Sequence, residues 1–90
     1  MRVNEVLPLD EIAAQGAEEA AELAQAFLKL RRALTGFNPT PVSTDEAWAK
    51  LMEEIADVMV CVNQIQGINW AYITELMSRK LGRWEGRLER

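Results

Sequence analysis

The chain has 90 residues, of which 49% are hydrophobic and 27% are charged, a composition typical of one globular domain. Its 14 acidic and 10 basic residues give a formal net charge of −4, which argues against general nucleic-acid binding. There is no histidine and one cysteine, which excludes histidine-ligated zinc, catalysis by a Ser-His or Cys-His pair, and an internal disulfide.

The sequence has no feature of a membrane or secreted protein. No stretch reaches the roughly 18 consecutive apolar residues that a membrane span requires. The first residues, MRVNEVLPLDEIAAQ, lack the apolar region of a secretory signal. We therefore predict a single domain over residues 1–90, located in the cytoplasm and without a membrane partner.

Two breaks divide the chain. The first is the segment GFNPTPVST over residues 36–44, and the second is Gly67. Helix-forming residues and helical apolar spacing on either side predict helices over residues 10–34, 44–66 and 69–88. Nothing alternates as a strand does. A chain this short buries only about 60–65% of its unfolded surface. We predict an all-α bundle of about three helices per chain, completed by homo-oligomerisation.

The helix ends carry recognisable signals. Asp10 is the predicted N-cap of the first helix, and Ser43 or Thr44 is that of the second. Gly36 stands just beyond the predicted end of the first helix, where a glycine readily adopts the left-handed conformation.

Two acidic pairs occupy matching positions on the first two helices. Glu19 and Glu22 are three residues apart, as are Glu54 and Asp57, so the two carboxylates of each pair lie on one helix face. At 100° per residue, the first member of each pair stands at the edge of the apolar stripe of its helix. Helices packed along these stripes could bring four carboxylates together.

Four carboxylates beside a core need a compensating charge, because an unpaired buried charge costs several kcal/mol or becomes neutral. Mg²⁺ prefers oxygen ligands, and a chain without histidine or a thiol cluster offers little else. The alternative is a solvated acidic face, which is the usual explanation of a single pair with this spacing. The spacing by itself leaves both explanations open.

The segments EEAAELAQAFLKLRR and LMEEIADVMVCVNQI resemble the two motif helices of the MazG-like all-α nucleoside triphosphate pyrophosphohydrolases. The resemblance covers about residues 10–87. It implies cleavage of a nucleotide between the α- and β-phosphates, giving a monophosphate and pyrophosphate, with Mg²⁺ as cofactor and Mn²⁺ as a possible substitute. It also implies a homodimer or a tetramer of dimers, with the site near a subunit boundary.

The resemblance assigns roles to six acidic residues. The magnesium ligands that it implies are Glu19, Glu22, Glu54 and Asp57. The resemblance also implies that two flanking acids are catalytic and orient or deprotonate the attacking water. These are Glu18 and Glu53.

Basic residues supply the candidate phosphate contacts. The family carries a Lys, an Asn four residues later and then an Arg. Here Lys80 and Arg87 match this element, whereas Trp84 stands where the Asn is expected. Arg83 shares their helix face, and Lys29 lies on the same face of the first helix as the acidic pair. Trp84 either stacks on a base or packs in a core or an interface.

Two other functions also fit the sequence. Phosphoribosyl-ATP pyrophosphohydrolase has a similar helical motif, although the loop-rich span and the KLGRWEGR element favour the MazG-like interpretation. The other possibility is a non-catalytic helical oligomer or adaptor whose acids only solvate a bundle. For two other side chains we predict simpler roles. Phe37 either anchors the proline loop or covers a ligand, and Cys61 is a small packed side chain.

Overall fold

A computed structural model describes residues 2–36 and 42–90. Within these ranges the chain is helical and contains no strand, which confirms the predicted all-α class. The helices in chain order are α1 (Val3–Val6), α2 (Leu9–Thr35), α3 (Thr44–Asn63) and α4 (Trp70–Leu88). The single turn α1 was not predicted, because four residues are too few to show a helical period. The prediction for Phe37 lies outside the described residues.

Helix α2 begins one residue earlier than predicted. Its N-cap is Pro8, which has an extended backbone, and not Asp10, which lies in the first turn. Proline suits the start of a helix because no helical hydrogen bond is lost there. At the other end Gly36 has φ 69°, and its N–H donates to the carbonyl of Arg32. Gly36 therefore ends the helix in the left-handed conformation that the sequence predicted.

Helix α3 is capped as predicted but ends early. The Ser43 hydroxyl oxygen accepts a hydrogen bond of 3.1 Å from the N–H of Glu46. The predicted end at residue 66 was wrong, because the helix ends at Asn63. Beyond that point the N–H groups of Gln64 and Ile65 donate to carbonyls three residues back, and this tighter winding leads into the turn.

Nearly all packing between helices joins α2 to α3. The buried core is small and rich in alanine, and it consists of Ile12, Ala26, Leu30, Ala47 and Leu51. The two helices also approach closely further along. A Cβ built on Gly16 would lie 3.8 Å from the Cβ of Cys61, which is an ordinary van der Waals contact.

Helix α4 buries none of its residues. It nevertheless displays large apolar side chains, including Trp70, Tyr72, Met77, Leu81, Trp84 and Leu88. Trp84 is 59% exposed, so a core position within one chain is excluded for it. Among the described residues, no helix is long and apolar enough to cross a membrane.

The molecule is extended for its mass. Its radius of gyration is 16.6 Å, whereas a compact domain of this length has about 12 Å. The accessible surface is 7265 Å², against about 5,300 Å² for a compact monomer of its mass. The chain thus exposes about 2,000 Å² more than a compact monomer does.

Candidate functional site

The contact between α2 and α3 brings three carboxylates together. One oxygen each from Glu19, Glu22 and Glu54 lies within 4.8 Å of the other two. Glu54 follows the buried residues Ala47 and Leu51 by seven and three positions. It therefore belongs to the face of α3 that packs on α2. The sequence places an acid on a core-facing position of the helix.

Burial differs sharply across the cluster. Glu54 is 3% exposed, Glu19 is half-buried and Glu22 is exposed. The side-chain amide of Gln15 donates a hydrogen bond of 2.9 Å to Glu19 Oε1, which holds that carboxylate from the preceding turn. The cluster is consequently open to solvent on the Glu22 side and closed on the Glu54 side.

The two oxygens of Glu54 have different environments. Oε1 lies 2.8 Å from Lys50 Nζ. Oε2 is buried and has no hydrogen-bond partner among the described residues. A buried charged oxygen without a partner is costly, and a cation placed between the carboxylates would provide the missing contact. Residues of this chain therefore fit an oxygen-preferring divalent cation.

The charges perturb one another as their proximity requires. The Glu19 carboxylate, and then that of Glu54, raise the pKa of Glu22 above its ordinary value, while Lys50 opposes the rise. The hydrogen bond with Glu54, and the charge of that carboxylate, raise the pKa of Lys50. The cluster thus holds more negative charge than its own lysine compensates.

The remaining predicted acids lie outside the cluster. Asp57 is exposed and is not among the three carboxylates within 4.8 Å. Glu18 and Glu53 are also exposed. Glu53 Oε2 lies 4.0 Å from Lys50 Nζ, so this acid borders the cluster through the lysine. In this chain the structure brings together three of the four predicted metal ligands.

A cavity of about 460 Å³ adjoins the cluster, and its charged lining residues are Glu22, Lys29, Arg32, Lys50 and Glu54. Lys29 therefore lies beside two of the predicted ligands, as its helical spacing indicated. Arg32 and Lys50 were not predicted as site residues. The signal for Lys50 was present, because a lysine four residues from a glutamate on a helix is placed to pair with it.

The basic residues of α4 lie on a separate surface. Lys80, Arg83, Trp84 and Arg87 border one open depression on that helix. None of them lines the cavity between α2 and α3. Within one chain, the predicted phosphate contacts of α4 and the carboxylate cluster are thus not joined.

Comparisons of the chain with models of protein families, with curated proteins and with solved structures find no match. Chemically, the α2–α3 site combines oxygen donors for a hard cation with three side-chain cations for an anion. This combination suits a ligand that carries phosphate groups, which such a cation and cationic side chains bind together.

Proposed function

We propose that this chain is a magnesium-dependent nucleotide pyrophosphohydrolase of the MazG-like kind, which converts nucleoside triphosphates into monophosphate and pyrophosphate. The observation that supports the proposal best is the environment of Glu54. Glu54 is a buried carboxylate whose Oε2 has no hydrogen-bond partner among the described residues. It lies within 4.8 Å of two further carboxylates, and it borders a cavity lined by three cations. A solvated acidic face does not account for a glutamate that is 3% exposed.

The ligands proposed for Mg²⁺ are Glu19, Glu22 and Glu54, with Asp57, three residues after Glu54 on the same helix, as a fourth. A bound Mg²⁺ supplies neutralisation of phosphate charge and activation of water. Lys29 binds the phosphate chain from within the cavity. Among the described residues no imidazole is present, so proton transfer from the attacking water falls to a carboxylate, for which we propose Glu18 or Glu53.

We further propose that the protein is a homodimer or a tetramer of dimers. The excess surface of about 2,000 Å² per chain matches the area that permanent oligomers bury. Most of the large apolar side chains of α4 are exposed in the described chain. In such an assembly Lys80, Arg83 and Arg87 of one subunit would bind phosphate at a neighbouring site, and Trp84 would lie at the subunit interface or stack on the base.

The test is pyrophosphate release from a panel of ribo- and deoxynucleoside triphosphates with Mg²⁺. The Glu54→Gln variant keeps the size of the side chain and removes its charge, and we expect it to lose at least about 100-fold in kcat. The matched control is Glu11→Gln, the same change at an exposed site in the first turn of α2, which should retain wild-type activity. Full activity in Glu54→Gln would contradict the assignment.

The same assay separates the alternatives. Monophosphate and pyrophosphate as products identify the reaction class. Phosphoribosyl-ATP is added to the panel, and pyrophosphate release from it and from no other nucleotide would favour the related pyrophosphohydrolase. Folded protein that is silent with every nucleotide would favour a non-catalytic helical oligomer and refute the enzymatic proposal.

A further inference from the structure

We propose that Lys50 is an internal counter-cation that holds Glu54 in the metal-free protein and moves to the phosphate chain of the substrate when the carboxylates bind a divalent cation. The inference rests on the proposed function and adds to it a substrate-binding residue to which the resemblance assigns no role.

The first observation is the pairing itself. Lys50 Nζ lies 2.8 Å from Glu54 Oε1 and 4.0 Å from the exposed Glu53 Oε2. Glu54 is 3% exposed, whereas the Lys50 side chain is 52% exposed. Lys50 is the ion-pair partner of Glu54 among the described residues. A buried carboxylate needs a compensating cation, and without a metal ion Lys50 is that cation.

The second observation is that the two oxygens of Glu54 are used unequally. In the part of the chain that the structure describes, Oε2 has no hydrogen-bond partner and is available to a cation shared with Glu19 and Glu22, while Oε1 pairs with the ammonium group of Lys50. An ammonium group and a divalent cation on one carboxylate repel each other at close range. The lysine contact therefore weakens when the carboxylates bind a divalent cation.

The third observation is where Lys50 would go. Its side chain lines the cavity together with Lys29 and Arg32. Lysine has a flexible four-carbon stem, and this one is half exposed, so little packing opposes its movement. Once the charge of Glu22 and Glu54 is balanced by a metal ion, the three cations leave the cavity positive. A phosphate chain is the ligand that such a cavity binds.

The experiment measures Mn²⁺ binding by electron paramagnetic resonance without nucleotide, at mildly alkaline pH, and KM for the best nucleotide of the panel in parallel. We expect Lys50→Met to bind Mn²⁺ about tenfold more tightly, because the competing ammonium group is gone. Its KM should rise by about tenfold, because the phosphate chain has lost a charged contact.

The matched control is Lys29→Met. It removes one positive charge from the same cavity, but among the described residues no ion pair joins Lys29 to a carboxylate. It should raise KM and leave Mn²⁺ affinity within about twofold of wild type, since no direct competitor has been removed. Lys50→Gln serves as the second variant should Lys50→Met be poorly folded by circular dichroism, with the same two changes expected.

Three results would overturn the inference. Unchanged or weaker Mn²⁺ binding in the Lys50 variants would mean that the lysine only supports Glu54. Tighter Mn²⁺ binding with an unchanged KM would mean that Lys50 does not reach the phosphate chain. Wild-type protein that binds no Mn²⁺ would refute the metal site itself, so that failure of the proposed function is distinguishable from failure of the inference alone.

Discussion

The buried position of Glu54 leads to a quantitative prediction about magnesium and thermal stability. A ligand that binds only the folded protein stabilises it by RT ln(1 + [L]/Kd). For about 10 mM Mg²⁺ and a dissociation constant of about 1 mM, the free energy of unfolding rises by about 1.4 kcal/mol. A chain of 90 residues has an unfolding entropy of about 0.19 kcal/mol/K. The melting temperature should therefore rise by about 7 °C.

Glu54→Gln should lose most of this response. An amide lacks the negative charge that a metal ligand supplies, and a thirtyfold weaker site leaves a shift of about 1 °C. Without metal the variant should melt no lower than wild type, because the amide oxygen still accepts from Lys50 and its N–H₂ can donate to a neighbouring carboxylate. The loss is then attributable to binding and not to a damaged fold.

The control for this experiment is the adjacent residue. Glu53→Gln makes the same chemical change at a side chain that is 72% exposed, and it should keep the full shift. The measurement is differential scanning calorimetry with and without MgCl₂, at ionic strength matched with NaCl. An equal shift in Glu54→Gln and wild type would refute the reasoning, because the stabilisation would then arise from screening.

Three further predictions concern stability and reactivity. Leu51→Ala, in the centre of the α2–α3 core, should lower the free energy of unfolding by about 2–4 kcal/mol in urea titrations. Gly16→Ala should raise the free energy of unfolding by about 0.5–1 kcal/mol, because alanine is the better helix former and its methyl group would meet Cys61 at an ordinary contact distance of 3.8 Å. A decrease would show that the helices need the glycine. Burial, and then the charges of Glu19 and Asp57, raise the pKa of Cys61. Alkylation by iodoacetamide at neutral pH should therefore be slower than for free cysteine and should accelerate as the pH rises; a rate equal to that of free cysteine would contradict this.

Local signals predicted most of the helical framework. Ser43 and Gly36 act at their helix ends through their own backbone and side-chain chemistry, which sequence displays directly. The end of α3 could not be predicted in the same way. The apolar spacing continues through Ile65, but the backbone has already tightened into i→i+3 hydrogen bonds there. Periodicity reports which residues are apolar and not where the winding changes.

The candidate site was predictable only where it depends on a single helix face. Glu54 shares the core-facing stripe of α3, so its proximity to Glu19 followed from the pattern. Glu22 and Asp57 each lie about 60° around from their partners, yet Glu22 joins the cluster and Asp57 does not. The rotation of α2 against α3 decides between these two outcomes, and no single-helix pattern contains it.

The position of α4 raises the question of which site its basic residues serve. Its cations do not line the cavity of their own chain, and most of its large apolar side chains are exposed. If α4 packs on a second subunit, the same contact covers those side chains and places Lys80 and Arg87 near the carboxylates of the neighbouring subunit. A symmetric dimer repeats this exchange at both of its sites.

Mixing two inactive variants tests the exchange directly. Glu54→Gln impairs the carboxylate cluster and leaves α4 intact, whereas the double variant Lys80→Met, Arg87→Met does the reverse. After the two are unfolded together and refolded, half of the dimers should be mixed, and each mixed dimer should hold one complete site if α4 serves its neighbour. Pyrophosphate release should then recover to about a quarter of the wild-type rate. If α4 serves its own chain, each of the two sites in a mixed dimer still has one defective component, either the carboxylate cluster or α4. Pyrophosphate release should then stay at the level of the separate variants. Failure to recover activity in dimers shown to be mixed would therefore refute the exchange.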